Sequence, residues 1–157
     1  MTISEGYTLI LENITLTNYT ATDGGAIYVE GNLSFNYCNF IDNTATGSGG
    51  AIYYNIAANN NMYTGNTFTN NTATSRGGAI RYSSAANNNT YTNNTFNNNT
   101  ATGYGGAISY WDAANNNTYK GNTFTNNNAN QYGGAIHYYI AENNTYTNNT
   151  FTNNNAT

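Results

Sequence analysis

The stretch GGAIRYSSAANNNTYTNNTFNNNTAT, Gly77–Thr102, decides the fold. Its opening, GGAIRY, alternates in character between polar residues and reads as a strand, and SSAANNN reads as a loop. Thr90-Tyr91-Thr92 and Thr95-Phe96-Asn97 are two more short strands separated by an Asn corner, and TATGY leads back to the next Gly-Gly. No segment spaces apolar residues at i, i+3 and i+4, and Asn, Thr and Gly are poor helix formers. Asn-Gly never occurs, which removes the strongest hairpin signal. Three short strands joined by corners suit a coil whose strands pair with the coils above and below.

Outward from this unit the same pattern recurs. Gly-Gly-Ala-Ile begins at Gly24, Gly49, Gly77, Gly105 and Gly133, with a first interval of 25 residues and three of 28. Phe-x-x-Asn begins at Phe40, Phe68, Phe96, Phe124 and Phe151, spaced 28, 28, 28 and 27. Two landmarks in one register mark a solenoid. The chain is read as all-β, a right-handed parallel β-helix with about 28 residues and three strands per coil. Residues 1–157 form one domain, with 1–23 an atypical N-terminal coil and repeats starting near 24, 49, 77, 105 and 133.

Period-two alternation sorts the faces. Ile27, Ile52, Ile80, Ile108 and Ile136 hold one inward position, and Val29, Tyr54, Tyr82, Tyr110 and Tyr138 hold the next. Phe35, Tyr63, Tyr91, Tyr119 and Tyr146 point inward from the second strand, and the Phe of Phe-x-x-Asn from the third. The variable rank Tyr28, Tyr53, Arg81, Ser109 and His137 faces out. Together with a loop around Trp111 and Asp112, it is the candidate surface for partner contacts. Asn at corners tolerates left-handed backbone, and stacked amides can bond along the axis as ladders.

The paired motifs, Gly-Gly-Ala-Ile with Phe-x-x-Asn, resemble the repeat of chlamydial polymorphic outer-membrane proteins. The Asn/Thr-rich spacing, as in Phe68-Thr-Asn-Asn-Thr-Ala-Thr before Gly77, is also similar to adhesin-like surface proteins of methanogenic archaea. The resemblance runs from about Leu9 to the end. It implies a right-handed parallel β-helix displayed outside the cell, serving adhesion or surface structure. The first unit departs from the pattern, with Leu16 in the Phe position and Tyr19 in the Asn position.

Composition narrows the function. Only 6% of residues are charged and the formal net charge is −4, while Asn and Thr make up more than a third of the chain. Disordered segments are poor in aromatics, whereas this chain is 15% aromatic, with 16 Tyr. Three basic residues do not neutralise a phosphate backbone, so nucleic acid is not an expected partner. No apolar stretch is long enough for a transmembrane helix, and MTISEGYTLI lacks the basic and apolar regions of a signal peptide. The one cysteine, Cys38, is expected to pack as a small hydrophobe.

Catalysis on a β-helix of the pectate-lyase kind needs clustered carboxylates and cations. Glu5, Glu12, Asp23, Glu30, Asp42, Asp112 and Glu142 fall in different coils and registers, and Arg76, Arg81 and Lys120 are scattered. No catalytic residue, metal site or cofactor is therefore expected. Only Asp23 precedes a Gly-Gly corner as a potential ligand for a hard cation.

Eleven Asn-x-Ser/Thr sequons begin at Asn13, Asn18, Asn32, Asn70, Asn88, Asn93, Asn98, Asn116, Asn143, Asn148 and Asn155. They are candidate N-glycosylation sites, but roughly eight would arise by chance in so Ser/Thr-rich a chain. Ice binding is the main rival function. Thr67-Phe-Thr69, Thr123-Phe-Thr125 and Thr150-Phe-Thr152 would rank Thr pairs, as would Thr90-Tyr-Thr92 and Thr145-Tyr-Thr147; Asn97, Lys120 and Met62 interrupt the ranks.

The ends complete the expectation. YTLILENITL reads as a partial first coil, and FTNNNAT stops in mid-coil. End-to-end stacking with copies of itself, or membership of a longer array, follows from a solenoid without polar caps. Self, and cell-surface glycans or proteins, are the expected partners.

Overall fold

The computed structural model describes residues 1–157 and is a parallel β-solenoid of about six coils. Four six-stranded sheets run along it, here A to D, with one strand of each per coil. In the fourth coil these are Ile80–Tyr82, Thr90–Thr92, Thr95–Asn97 and Thr100–Ala101. Each pairs in parallel with its equivalents one coil away, as Ile80 does with Ile52 and Ile108.

Two expectations need correction here. A coil has four strands rather than three: Thr72–Ala73, Thr100–Ala101 and their equivalents form sheet D. Two residues are too few to show alternation, although their inward Ala45, Ala73, Ala101 and Ala129 are all fully buried. The first coil is also complete, since Thr2–Ile3, Thr8–Glu12, Thr15–Thr17 and Thr20–Ala21 enter all four sheets. Its aliphatic Ile3 and Leu16 stand in register with Val29 and Phe40 of the second coil and are buried.

The core is a set of columns. Phe40, Phe68, Phe96, Phe124 and Phe151 stack with ring centroids 4.8 Å apart and planes within 4°. That spacing is the separation of paired strands, so the backbone sets the stacking distance. The tyrosines of sheets A and B interlock through their hydroxyls. Tyr82, Tyr91, Tyr110, Tyr119, Tyr138 and Tyr146 form one continuous chain of phenol–phenol bonds, 2.6 to 2.9 Å long. Each buried hydroxyl thereby has a partner without water.

The corners work by dividing labour between adjacent asparagines. The first is left-handed and exposed, as at Asn70 (φ 56°), Asn93 (53°) and Asn98 (57°). The second position turns inward, and nine asparagines that hold it are buried, six of them directly after another Asn. Asn94 is representative. Its Oδ1 accepts from Asn66 N (2.9 Å) and Asn66 Nδ2 (3.0 Å), while its Nδ2 donates to Tyr63 O (2.8 Å) and Asn122 Oδ1 (3.0 Å). All four bonding positions of the amide are filled. Cys38 holds the equivalent position one coil before Asn66, buried, with its N–H on Asn66 Oδ1 at 2.9 Å.

The phenol chain makes the fold sensitive to alkali. Burial pushes the hydroxyls of Tyr54, Tyr82, Tyr91 and Tyr110 well above 10.0, and that of Tyr63 up to about 12. The folded values exceed the unfolded one, so unfolded chains lose these protons first. Stability is intact below pH 10 and falls as pH rises toward the folded values, by about 1.4 kcal/mol per tyrosine per pH unit. Phenolate absorbance from the buried tyrosines and loss of β-sheet circular dichroism are expected to appear together in one steep step between pH 10.0 and about 12. Ionisation of all 16 tyrosines with an unchanged dichroism spectrum would contradict this.

Candidate functional site

The variable residues of sheet A lie on its outer face in the order Tyr28, Tyr53, Arg81, Ser109, His137. They do not form the freely exposed rank that the alternation predicts. Tyr28, Tyr53 and His137 are half-buried, Arg81 is only 3% exposed and Ser109 is fully buried. The reason is what flanks them. Before each Gly-Gly stands a second outward column that includes Arg76, Tyr104 and Tyr132; beyond the strand stand Trp111 and Tyr139. These long side chains cover the short Ser109 and leave the central rank as the floor of a trough.

Trp111 and Asp112 are also placed differently. They belong to the strand Ile108–Ala113, not to a loop. Tyr110 pairs with Tyr138 and Ala113 with Ile140, so Trp111 and Asp112 together oppose the single residue Tyr139. This β-bulge absorbs the residue by which the last repeat is shorter, and a bulge re-aims its side chains. The Trp111 indole stacks on Tyr139, with centroids 5.0 Å apart and planes at 17°. Asp112 turns its carboxylate onto the N–H of Ala113 at 2.7 Å.

Cations converge on this indole. The Arg76 guanidinium carbon is 4.3 Å from the centroid of Trp111 and 5.2 Å from that of Tyr104, and Arg81 is 5.5 Å from Trp111. Tyr104 in turn stacks on Tyr132 at 5.6 Å and on His137 at 4.8 Å. Arg81 donates from Nη1 to Ser109 Oγ at 2.8 Å, its one side-chain hydrogen bond within the protein. His137 Nδ1 is buried without any partner. Burial, and then the charge of Arg76, lowers Arg81 to about 10; burial, Arg81 and Arg76 also push His137 down. Positive charge therefore accumulates here against its own cost.

Sequence reasoning missed Arg76, Tyr104, Tyr132 and Tyr139. Their signal was present: the residue before each Gly-Gly varies as freely as the central rank. Nowhere do three His, Cys, Asp or Glu side chains gather in a way that would hold a metal ion. No helix is long and apolar enough to cross a membrane.

All eleven sequon asparagines, Asn13, Asn18, Asn32, Asn70, Asn88, Asn93, Asn98, Asn116, Asn143, Asn148 and Asn155, are exposed. Most are the left-handed member of a corner. Asn-Asn-Thr is what such a corner requires: a left-handed residue, an inward amide, then an outward strand residue. The corner accounts for the motif without any glycan.

The Chlamydia polymorphic membrane protein repeat matches the chain four times, at residues 37–55, 67–82, 95–110 and 123–138. Each match brings together a Phe strand of sheet C, a strand of sheet D and, through Gly-Gly-Ala-Ile, a strand of sheet A. No curated protein and no solved structure matches the chain significantly. Four segments of this parallel β-solenoid, then, are similar to the Chlamydia polymorphic membrane protein repeat.

Proposed function

We propose that the chain is a non-enzymatic structural and adhesin-like module of a cell surface, a rod that continues end to end with further copies of itself. The family of the matched repeat supports the surface role. One observation carries this continuation: the core columns and the strand register run without a break into the last coil, where Tyr146 and Phe151 keep the ring stacking of the inner coils. A further coil of the same period matches this one strand for strand. The first coil has the complementary character, with aliphatic Leu16 in register with the Phe column.

Sedimentation velocity over a wide concentration range, with electron microscopy, tests this. Concentration-dependent growth into rods is expected, and Phe151→Asp with Tyr146→Asp should abolish it while leaving the inner coils folded. Monomers at every concentration, with no filaments, would remove the stacking.

A second reading rests on sheet C. Thr67, Thr95, Thr123 and Thr150 align in register, which supplies one of the two ranks of a Thr-x-Thr ice-binding grid. The neighbouring rank, Thr69, Asn97, Thr125 and Thr152, is interrupted by Asn97. Absence of thermal hysteresis at high protein concentration excludes it.

A further inference from the structure

We propose that the trough on sheet A is a binding site for an anionic saccharide, with Arg76 and Arg81 receiving a carboxylate or sulfate group of the sugar. This rests on the surface-module reading only for where the ligand is met. The binding itself belongs to the isolated coils.

The placement of charge comes first. The chain has three Lys and Arg residues and one His, and two of those cations and the His lie in this trough. Seven carboxylates are available elsewhere, yet neither arginine forms an ion pair. The nearby acids are engaged with backbone: Asp112 with Ala113 N–H, and Asp23 with Ser48 N–H at 2.7 Å. A guanidinium has five N–H donors in a fork that fits an oxyanion bidentately. Arg81 is 3% exposed and uses one of the five. Its other guanidinium nitrogens have no protein partner and are not fully buried, so an oxyanion can reach them. Beside it, His137 Nδ1 is buried without a partner.

The surroundings indicate what carries the anion. Arg76 also lines an open recess of about 220 Å³ with Ser75, Thr102, Tyr104 and Gln131. Hydroxyls, an amide and an aromatic ring beside a guanidinium suit a polyhydroxylated ring with one charged substituent. Trp111, Tyr132 and Tyr139, exposed by 41%, 64% and 64%, supply apolar edges for its C–H faces. A densely charged polymer such as nucleic acid fits poorly, because two guanidiniums on a chain of net charge −4 neutralise too few phosphates. The bulge supports the assignment: the single register shift in the four sheets is the one that sets Trp111 over both arginines.

The chain has one tryptophan, Trp111, so its fluorescence reports on this trough alone. The full chain would be titrated with oligogalacturonate, a chondroitin sulfate oligosaccharide, neutral cellotetraose, and free acetate and sulfate. Saturable quenching is expected with a charged oligosaccharide, at least tenfold tighter than with cellotetraose or the free anions. The uronate and sulfate arms tell which anion the site takes. Arg81→Gln and the more exposed Arg76→Gln should each weaken binding tenfold or more, and Lys120→Gln on sheet B should not. If Arg81→Gln does not fold, Arg76→Gln alone decides. Failure of both charged sugars, equal binding of cellotetraose or of free anion, or an equal loss in Lys120→Gln each overturns the proposal. Association is read separately by sedimentation, so loss of stacking and loss of saccharide binding remain distinct results.

Discussion

Gly78→Ala should unfold the middle of the solenoid, at a cost above about 3 kcal/mol. A Cβ at Gly78 would stand 2.0 Å from Gly106 O and 2.6 Å from Thr100 N, both backbone atoms. Gly106 belongs to the next coil, so relief requires two coils to part by more than an ångström. The bonds that hold them there, Gly78 N to Gly105 O at 3.1 Å and Ala79 N to Ala107 O at 2.9 Å, would be lost in the process. Gly121→Asn is the contrasting substitution. Gly121 has φ +65° and the equivalent corner residues are Asn93 and Asn148, with φ 53° and 55°. Its replacement should fall within about 0.5 kcal/mol of the parent. Chemical denaturation compares the two, and hydrogen exchange of the coils on either side of Gly78 locates the damage. Equal stability of Gly78→Ala and the parent would mean that the coils are not held as closely as the backbone shows.

Asn94→Leu is expected to be the most damaging change of a polar residue, at roughly 3–6 kcal/mol. Leu fills a comparable volume but strands Asn66 N–H, one Asn66 Nδ2 hydrogen and Tyr63 O, all buried. Asn94→Asp tests the direction of the bonds. It keeps the acceptor for Asn66 but turns an oxygen toward Tyr63 O and Asn122 Oδ1, so it should also destabilise strongly. The neighbour Asn93 is exposed and left-handed, and Gly65 and Gly121 hold its place in adjacent coils. Asn93→Gly should therefore be nearly silent. Denaturation midpoints of the three variants check this, and a silent Asn94→Leu would show that water replaces the amide.

The period and the inward columns were legible because each coil repeats the same environment. Ile80, Tyr82, Tyr91 and Phe96 answer to equivalents in every neighbouring coil, and burial selects the same side chain each time. Sheet D was not legible, since a Thr-Ala pair carries no alternation. The division between exposed and buried asparagines was equally hidden, because Asn93 and Asn94 are the same letter with opposite roles. The trough depends on still less local facts. Arg81 is outward by alternation, yet its burial comes from Arg76 and from Trp111, which stands on the following coil. The bulge that re-aims Trp111 is visible only once Tyr110 and Ala113 are paired with Tyr138 and Ile140.

The buried amides also give the rod a direction. From Asn43 through Asn71, Asn99 and Asn127 to Asn154, every amide-to-amide bond runs from the Nδ2 of the lower-numbered coil to the Oδ1 of the higher, while the second Nδ2 hydrogen turns back to a backbone carbonyl. The row from Asn66 to Asn149 has the same sense. Parallel dipoles of this kind add, as peptide dipoles do in a helix, so the two ends of the rod differ electrically as well as in shape. A neighbour that prolongs these rows must arrive facing the same way. Pairing of like ends would set donor against donor or acceptor against acceptor, whereas head-to-tail contacts would yield a polar filament with distinct leading and trailing tips rather than a closed symmetric dimer.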